Sequence, residues 1–210
     1  MEAERARANG WRLAVWIGLA GEAAFVAAAI PFSDFTTDGN VLWFVPLMMT
    51  AGAAFLAVAW LLRESALQLS QFWIIALALR LVAMPMAPGD DVWRLLWEGR
   101  IQADGWNPYL HAPASEELRS LRDQRWEWIN HPETVAIYPP AAELVFAGLS
   151  RISPTVCFFK VIFIFADLAT VALLLRLPGV TTGTAVWYAW NPAVVYAFAG
   201  GGHYDSLMLC

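Results

Sequence analysis

The chain has 210 residues, 59% of them hydrophobic and only 15% charged, with a net charge of −5. That apolar share exceeds the usual half of a water-soluble domain, so lipid is the expected solvent for most of the molecule. The basic residues are nearly all arginine and form no patch, which argues against a nucleic-acid partner.

A membrane-spanning helix needs roughly 20 predominantly apolar residues. Residues 11–30, 41–62, 72–87, 156–175 and 184–199 supply such runs and predict an all-α, polytopic helix bundle with about five crossings. The first run follows Arg5, Arg7 and Arg12 and ends in Ala27, Ala28 and Ala29, a pattern that a cleaved signal peptide also shows. Its length, and the second long apolar run after one short polar turn, favour a retained anchor. Cys157 and Cys210 lie in apolar stretches as small hydrophobes and imply no disulfide framework. No repeat, low-complexity tract or linker divides the chain. Residues 1–210 therefore read as one membrane domain, with residues 88–137 as a large extramembrane loop.

Arginines near helix ends mark the cytoplasmic side of a membrane. The tail carries three and residues 33–40 none, which predicts a multi-pass protein of the cell membrane with a cytoplasmic N-terminus. Residues 33–40 and the loop from Pro88 then lie outside, and Arg63 inside. Arg94, Arg100, Arg119, Arg122 and Arg125 in the loop run against this rule, although acids outnumber them there. Residues 138–152 are too short to span comfortably. They open with Pro139 and Pro140, which suit a first helical turn, and are expected to lie along the outer interface or re-enter it. With that, residues 156–175 cross inward and 184–199 outward, and residues 200–205 emerge on the same face as Asp90 and Asp91.

Within MAPGDDVWRLLWEGRIQADGWNPY, residues Asp91, Arg94, Leu95 and Glu98 fall at i, i+3, i+4 and i+7, one stripe of a helix. Trp93 and Trp97 form a neighbouring stripe. The pattern predicts an amphipathic helix that ends near Gly105 and suits the lipid headgroup level. Two readings weigh equally here: solvated loop charges with an interfacial tryptophan belt, or a functional site. Elsewhere, Lys160 and Asp167 lie seven apart on one face of a predicted crossing, and Arg80 interrupts another. Intramembrane ionisable groups face a bundle interior or a cavity. Arg80 is expected to partner an acid, Lys160 has snorkelling as its alternative, and Glu22 has no evident partner. His111 and His131 read as loop histidines. His203 and Asp205, in GGGHYD, are better candidates, because three glycines permit close backbone approach. Asp90, Asp91, His203 and Asp205 could supply metal ligands only where the fold joins their two loops.

Taken in order, GDDVWRLLWEGRIQADGWNPYLHAP, INHPETVAIYPP, the Lys160 to Asp167 helix and YAWNPAVVYAFAGGGHYDSL resemble the integral-membrane glycosyltransferases of the GT-C class. The likeness is to polyprenol-phosphate-mannose-dependent mannosyltransferases, and more distantly to the GPI mannosyltransferase catalytic subunit. It covers roughly residues 80–210, while residues 1–70 match only as generic membrane helices. The resemblance implies transfer of a sugar, expected to be mannose, from a polyprenyl-phosphate donor to a glycan or lipid acceptor at the extracytoplasmic face, with inversion. It implies a catalytic-type position for Asp91, with Asp90 as its acidic pair and Asp205 in a second acidic loop.

On that chemistry a lipid phosphate already leaves well, so the enzyme chiefly needs a base, and Asp91 or Asp90 would take the acceptor proton. Arg94, Arg80, Lys160 or His203, or a divalent cation such as Mg or Mn, would balance charge on the departing phosphate. Trp93, Trp97 and Trp106 would offer flat surfaces to a sugar ring or the isoprenoid, and Glu98 and Tyr138 complete the candidate substrate-binding set. Family members run to twice this length or more. The chain ends in mid-apolar run at Leu207-Met208-Leu209-Cys210, as expected of a truncated chain. A transporter or flippase-like protein, its path lined by Lys160, Asp167 and Arg80, is the rival reading, and a non-catalytic scaffold subunit a third. The transporter requires inverted repeats and interrupted helices, and the sequence displays neither clearly.

Overall fold

The computed structural model describes residues 2–65 and 67–210, with side chains described from Arg12 onward apart from residue 66. The side chains of Arg5, Arg7 and Trp11 lie outside the described set. Among the described residues all regular structure is helical. Helices α1 (Glu2–Ala29) and α2 (Asn40–Leu62) form a long hairpin, and α3 (Leu69–Ala83) packs beside it. In the hairpin turn, Asp34 accepts hydrogen bonds from the Thr36 backbone N–H at 3.0 Å and hydroxyl at 2.6 Å. After the loop, the bundle is completed by α6 (Val156–Leu174), α7 (Thr182–Ala189) and α8 (Pro192–Val195). Its core gathers Phe55, Leu62, Phe72, Leu79, Val186 and Trp190. Leu42, Trp43, Met49, Ile74 and Phe165 point outward, an apolar surface that lipid rather than water would solvate.

Among the described residues, three segments are long and apolar enough to cross a membrane: Arg12–Phe32, Asn40–Leu62 and Val156–Leu174. The other two expected crossings differ from the sequence reading. The run at residues 72–87 becomes the 15-residue α3, about 22 Å long at 1.5 Å per residue, because Pro85 and Pro88 follow its end. The run at 184–199 is broken at Asn191-Pro192, where proline brings no N–H. The chain continues as α8 and a π-helical turn, Tyr196–Gly201. Gly202 closes that turn at a φ of +74°, in the left-handed region that glycine tolerates.

A buried ion pair locks three of these helices together. Arg80 Nε donates to Asp167 Oδ2 at 2.5 Å, and Arg80 Nη1 donates to the carbonyls of Ala76 and Ala189 at 2.8 and 2.7 Å. Asp167→Ala would leave the guanidinium in the core without its anion, a loss of about 3–5 kcal/mol. Thermal unfolding of the detergent-solubilised protein should show a clear drop in midpoint, and an unchanged midpoint would remove the pair from the bundle's stability.

The ends of the bundle are fixed by hydrogen bonds between distant loops. At one end, Leu67 N–H donates to Thr182 Oγ1 at 2.7 Å. At the other, Ala87 N–H donates to Ser33 Oγ at 2.8 Å and Gly89 N–H to the Gly201 carbonyl at 2.8 Å. Residues 33–40, the start of the 88–137 loop and residues 200–205 thus meet at one end.

The loop is a folded unit. Helix α4 (Asp91–Ala103) stops in a two-bond left-handed turn: Gly105 has a φ of +92°, its N–H reaches the Gln102 carbonyl, and Trp106 N–H reaches that of Ile101. Two 3-10 turns, Glu116–Leu121 and Gln124–Trp128, lead to α5 (Pro140–Ile152). The pattern of α4 suited a lipid surface, but its apolar residues pack on protein. Val92, Leu95 and Leu96 are buried against Ala142, Phe146 and Leu149 of α5 and Phe159 and Phe163 of α6. Trp97 and Ile101 are covered by Leu118 and Ile129. The loop arginines that broke the orientation rule are spent inside this unit. Arg100 and Arg125 hold Asp123, Arg122 donates to the Ala114 and Ser115 carbonyls, and Arg119 pairs with Glu116.

Gly99 sets the spacing of α4 and α5, because a Cβ there would strike the Phe146 carbonyl and the Ser150 hydroxyl. Gly99→Ala therefore forces the helices apart, an overpacking cost of about 1–3 kcal/mol. A lowered thermal midpoint is the expected result, and a midpoint equal to wild type would show that the interface can relax.

Candidate active site

Asp90 and Asp91 open α4, and their carboxylates are pinned by a side chain from across the loop. Asn130 Nδ2 donates to Asp91 Oδ1 at 2.7 Å and to Asp90 Oδ2 at 3.3 Å. Asp90 Oδ1 also accepts the Asp91 backbone N–H at 3.0 Å. Asp90 is exposed and Asp91 half-buried, and the second oxygen of Asp91 accepts nothing from the described residues.

Asn130 is held there by Arg94. Its Nε donates to Glu98 Oε1 at 2.9 Å, Nη1 to the carbonyls of Asn130 and His131 at 3.2 and 3.0 Å, and Nη2 to those of Thr134 and Val135 at 2.5 and 2.8 Å. A guanidinium has five N–H groups, and all five are committed. His131 takes a φ of +44°, an uncommon conformation for a side-chain-bearing residue, within the segment that wraps the guanidinium.

The second acidic loop arrives at the same place. The Gly89–Gly201 hydrogen bond sets His203 beside the residue preceding the acid pair, so that a Cβ on Gly89 would lie 3.7 Å from the His203 ring. Tyr204 packs edge-on to Tyr138 at 5.0 Å and to Phe146 at 5.5 Å. Tyr138 is buried and its carbonyl accepts the Tyr109 hydroxyl at 2.5 Å. Burial raises the phenol of Tyr138, with the Asp91 and Glu98 charges adding to the rise. Burial also raises the phenol of Tyr204, beside Asp205 and Asp91. Asp205 itself is exposed.

Several predicted site residues have other partners. Arg80 is enclosed with Asp167, and Lys160 Nζ donates to the Met84 and Met86 carbonyls at 3.2 and 2.7 Å, securing the exit of α3. Arg94 has no N–H left for a phosphate. Trp97 is buried in the loop core, and Trp106 packs edge-on to His111 at 5.0 Å. Trp93 is half-buried against Trp128, ring centres 4.6 Å apart. The cleft among Trp93, Trp97 and Trp126 holds about 20 Å³, room for a water and not for a sugar ring. Glu98 is buried under Arg94.

Joining the two loops does not make a metal centre of Asp90, Asp91, His203 and Asp205. Among the described residues no three His, Cys, Asp or Glu side chains converge as ligands. A divalent cation held by three or more of these side chains therefore has no site among the described residues. The transporter reading asked for an interrupted helix, which α7 and α8 provide, but the charges meant to line its path are buried and paired inside the bundle.

Sequence reasoning missed Asn130, Gln102 and Glu143 as site-forming residues. INHP and the lone acid of an otherwise apolar helix were visible, but their partners lie about 40 residues away.

An all-helical membrane bundle with an acidic pair at the mouth of a folded loop is the architecture of a membrane-embedded glycosyltransferase of the GT-C type. The chain belongs to the family described as alpha-(1->6)-mannopyranosyltransferase, N-terminal domain, whose model matches residues 12–210. It is thus a membrane mannosyltransferase, an enzyme that takes a sugar donor and a glycan acceptor. No curated protein and no solved structure matches it.

Proposed function

We propose that the enzyme transfers mannose from a polyprenyl-phosphate donor to a hydroxyl of a glycan or lipid acceptor, at the extracytoplasmic face of the cell membrane. Asp91 is the general base. It takes the acceptor proton on its open oxygen as the acceptor attacks the anomeric carbon. The bond from that carbon to the phosphate oxygen breaks, its electron pair leaves with the lipid phosphate, and the configuration inverts. His203 stands as the charge-balancing partner of the phosphate, because Arg80, Arg94 and Lys160 are all engaged elsewhere. Asp90, Tyr138 and Tyr204 shape the rest of the mouth.

The observation that carries this reading is the Gly89–Gly201 hydrogen bond, which gathers both acidic loops at one end of the bundle. A lipid-linked donor suits that end, since α5 there turns Leu144, Val145 and Ile152 outward. Arg63 and Arg176 follow the opposite ends of α2 and α6, which supports a multi-pass arrangement with a cytoplasmic N-terminus.

The test is transfer of labelled mannose to an acceptor in membranes containing the full-length protein, with polyprenyl-phosphate mannose and nucleotide-activated mannose offered separately. Transfer from the lipid donor, with the product anomer opposite to the donor's by NMR, is the expected result. Transfer from the nucleotide sugar alone, or retention, overturns the proposal.

A further inference from the structure

Beneath the acid pair, two further carboxyls meet in the α4–α5 interface. Glu98 and Glu143 are both buried, at about 1% exposure each, and flank Gln102, whose Nε2 donates to the backbone carbonyl of Glu98 at 3.2 Å and to that of Glu143 at 3.1 Å. Glu98 Oε1 is taken by Arg94, and Glu143 Oε2 accepts Gln102 Nε2 at 2.5 Å. The remaining oxygens, Glu98 Oε2 and Glu143 Oε1, are enclosed and receive no N–H or O–H from the described residues. Two ionised carboxylates cannot satisfy those oxygens, and one Arg94 charge cannot neutralise both groups. A single proton between them does both: it supplies the missing donor and leaves the Arg94–Glu98–Glu143 triad neutral.

We infer that Glu98 and Glu143 share one proton at neutral pH, and that Glu143 is thereby a positioning residue for Asp91, acting through Glu98, Arg94 and Asn130. The first link is the shared proton between Glu143 and Glu98, and the rest are hydrogen bonds: Arg94 to Glu98, Arg94 to the carbonyls of residues 130–135, and Asn130 to Asp91. Loss of the proton would place two negative charges in one buried contact and draw Arg94 off the loop it clamps. The groups facing the pair are Arg94 and Asp91 on α4, Tyr109 and Tyr138 on the loop, and Tyr204 beyond Gly202. Lys160 on α6 is turned to the carbonyls of Met84 and Met86.

The electrostatics agree with this arrangement. Burial raises Glu98 even though Arg94 opposes the rise. Burial first, and Glu98 second, push Glu143 up from the ordinary 4.5 to about 9. A carboxyl raised in the folded state binds more protons folded than unfolded, so its stabilising contribution is complete below 4.5 and is lost as pH rises towards about 9.

The experiment compares Glu143→Gln with wild type in the full-length protein. The amide can donate to Glu98 and accept from Gln102, yet has no proton to lose. The thermal midpoint of wild type should fall between about pH 5 and pH 9 relative to the variant. The wild-type transfer rate should drop about tenfold per pH unit above about 9, and the variant's should not. The rate comparison rests on Asp91 being the base, whereas the midpoint comparison does not, so failure of the transfer reading leaves the latter standing. Parallel pH profiles of the midpoint in the two proteins would overturn the inference. Should Glu143→Gln not fold, infrared spectra of Glu22→Gln, which lacks the other fully buried carboxyl without a partner among the described residues, decide: a neutral carboxylic acid band that vanishes between about pH 7 and pH 10 supports the shared proton, and no such loss refutes it.

Discussion

Replacing Asp91 by asparagine is expected to cut mannose transfer from the lipid donor by about 10²–10⁴-fold, the range for removing a general base. The substitution is nearly isosteric, and the amide oxygen can still accept the Asn130 N–H that now arrives at 2.7 Å, so the loop should keep its shape. The loss should fall on the turnover rate, with the donor KM little changed, because the lost function is proton transfer. Asp90→Asn provides the contrast. Asp90 is exposed and caps the start of α4, and asparagine caps almost as well, so a loss of about tenfold or less is expected. Initial rates at saturating donor in the full-length protein read both variants, with tryptophan fluorescence as the folding control. The reverse ranking would move the base to Asp90, and full activity in both would remove the acid pair from the mechanism.

Arg94→Ala should be the most disruptive substitution in the loop. It removes the Arg94 donor from four carbonyls in residues 130–135, of which His131 keeps the Thr134 N–H, and leaves Glu98 buried without a cation, for which a loss of about 3–5 kcal/mol is expected. Arg94→Lys should remain defective. One ammonium offers three N–H groups on a flexible stem, where the native contact uses five in a fixed plane. The checks are the thermal midpoint, proteolytic cleavage within residues 130–135, and transfer. Loss of all three together identifies Arg94 as the clamp that presents Asn130 to Asp91. Lost transfer with an intact midpoint and a protease-resistant loop would instead return Arg94 to the donor phosphate.

Both predictions depend on contacts that the sequence hinted at without specifying. The helical stripe of Asp91, Arg94 and Glu98 was legible because a 3.6-residue period puts those positions on one face. What that face touches was not legible. The same stripe suits a lipid surface or a protein interior, and burial beneath α5 and the 3-10 turns decided for the interior. Arg94, Arg80 and Lys160 looked like phosphate ligands because cations in apolar surroundings need partners. Their partners proved to be carbonyls and two carboxylates, Asp167 and Glu98, contributed from 4 to 109 residues away. Pattern arguments see neighbours within about two helical turns, and the clamp is built from none of these alone.

The sequence by itself determined the all-helical membrane class, the long apolar helices, the helix that follows the acid pair and the proline-led helix after IYPP. Each is set by local quantities: apolar run length, helical period, and the missing N–H of proline. Tertiary structure alone decided that two of five apolar runs are a short helix and a broken one, that Asn130 reaches Asp90 and Asp91, and that Glu98 and Glu143 flank Gln102. Those outcomes depend on which distant groups share one buried space, where an unpaired polar atom is costly and its partner can come from anywhere in the chain.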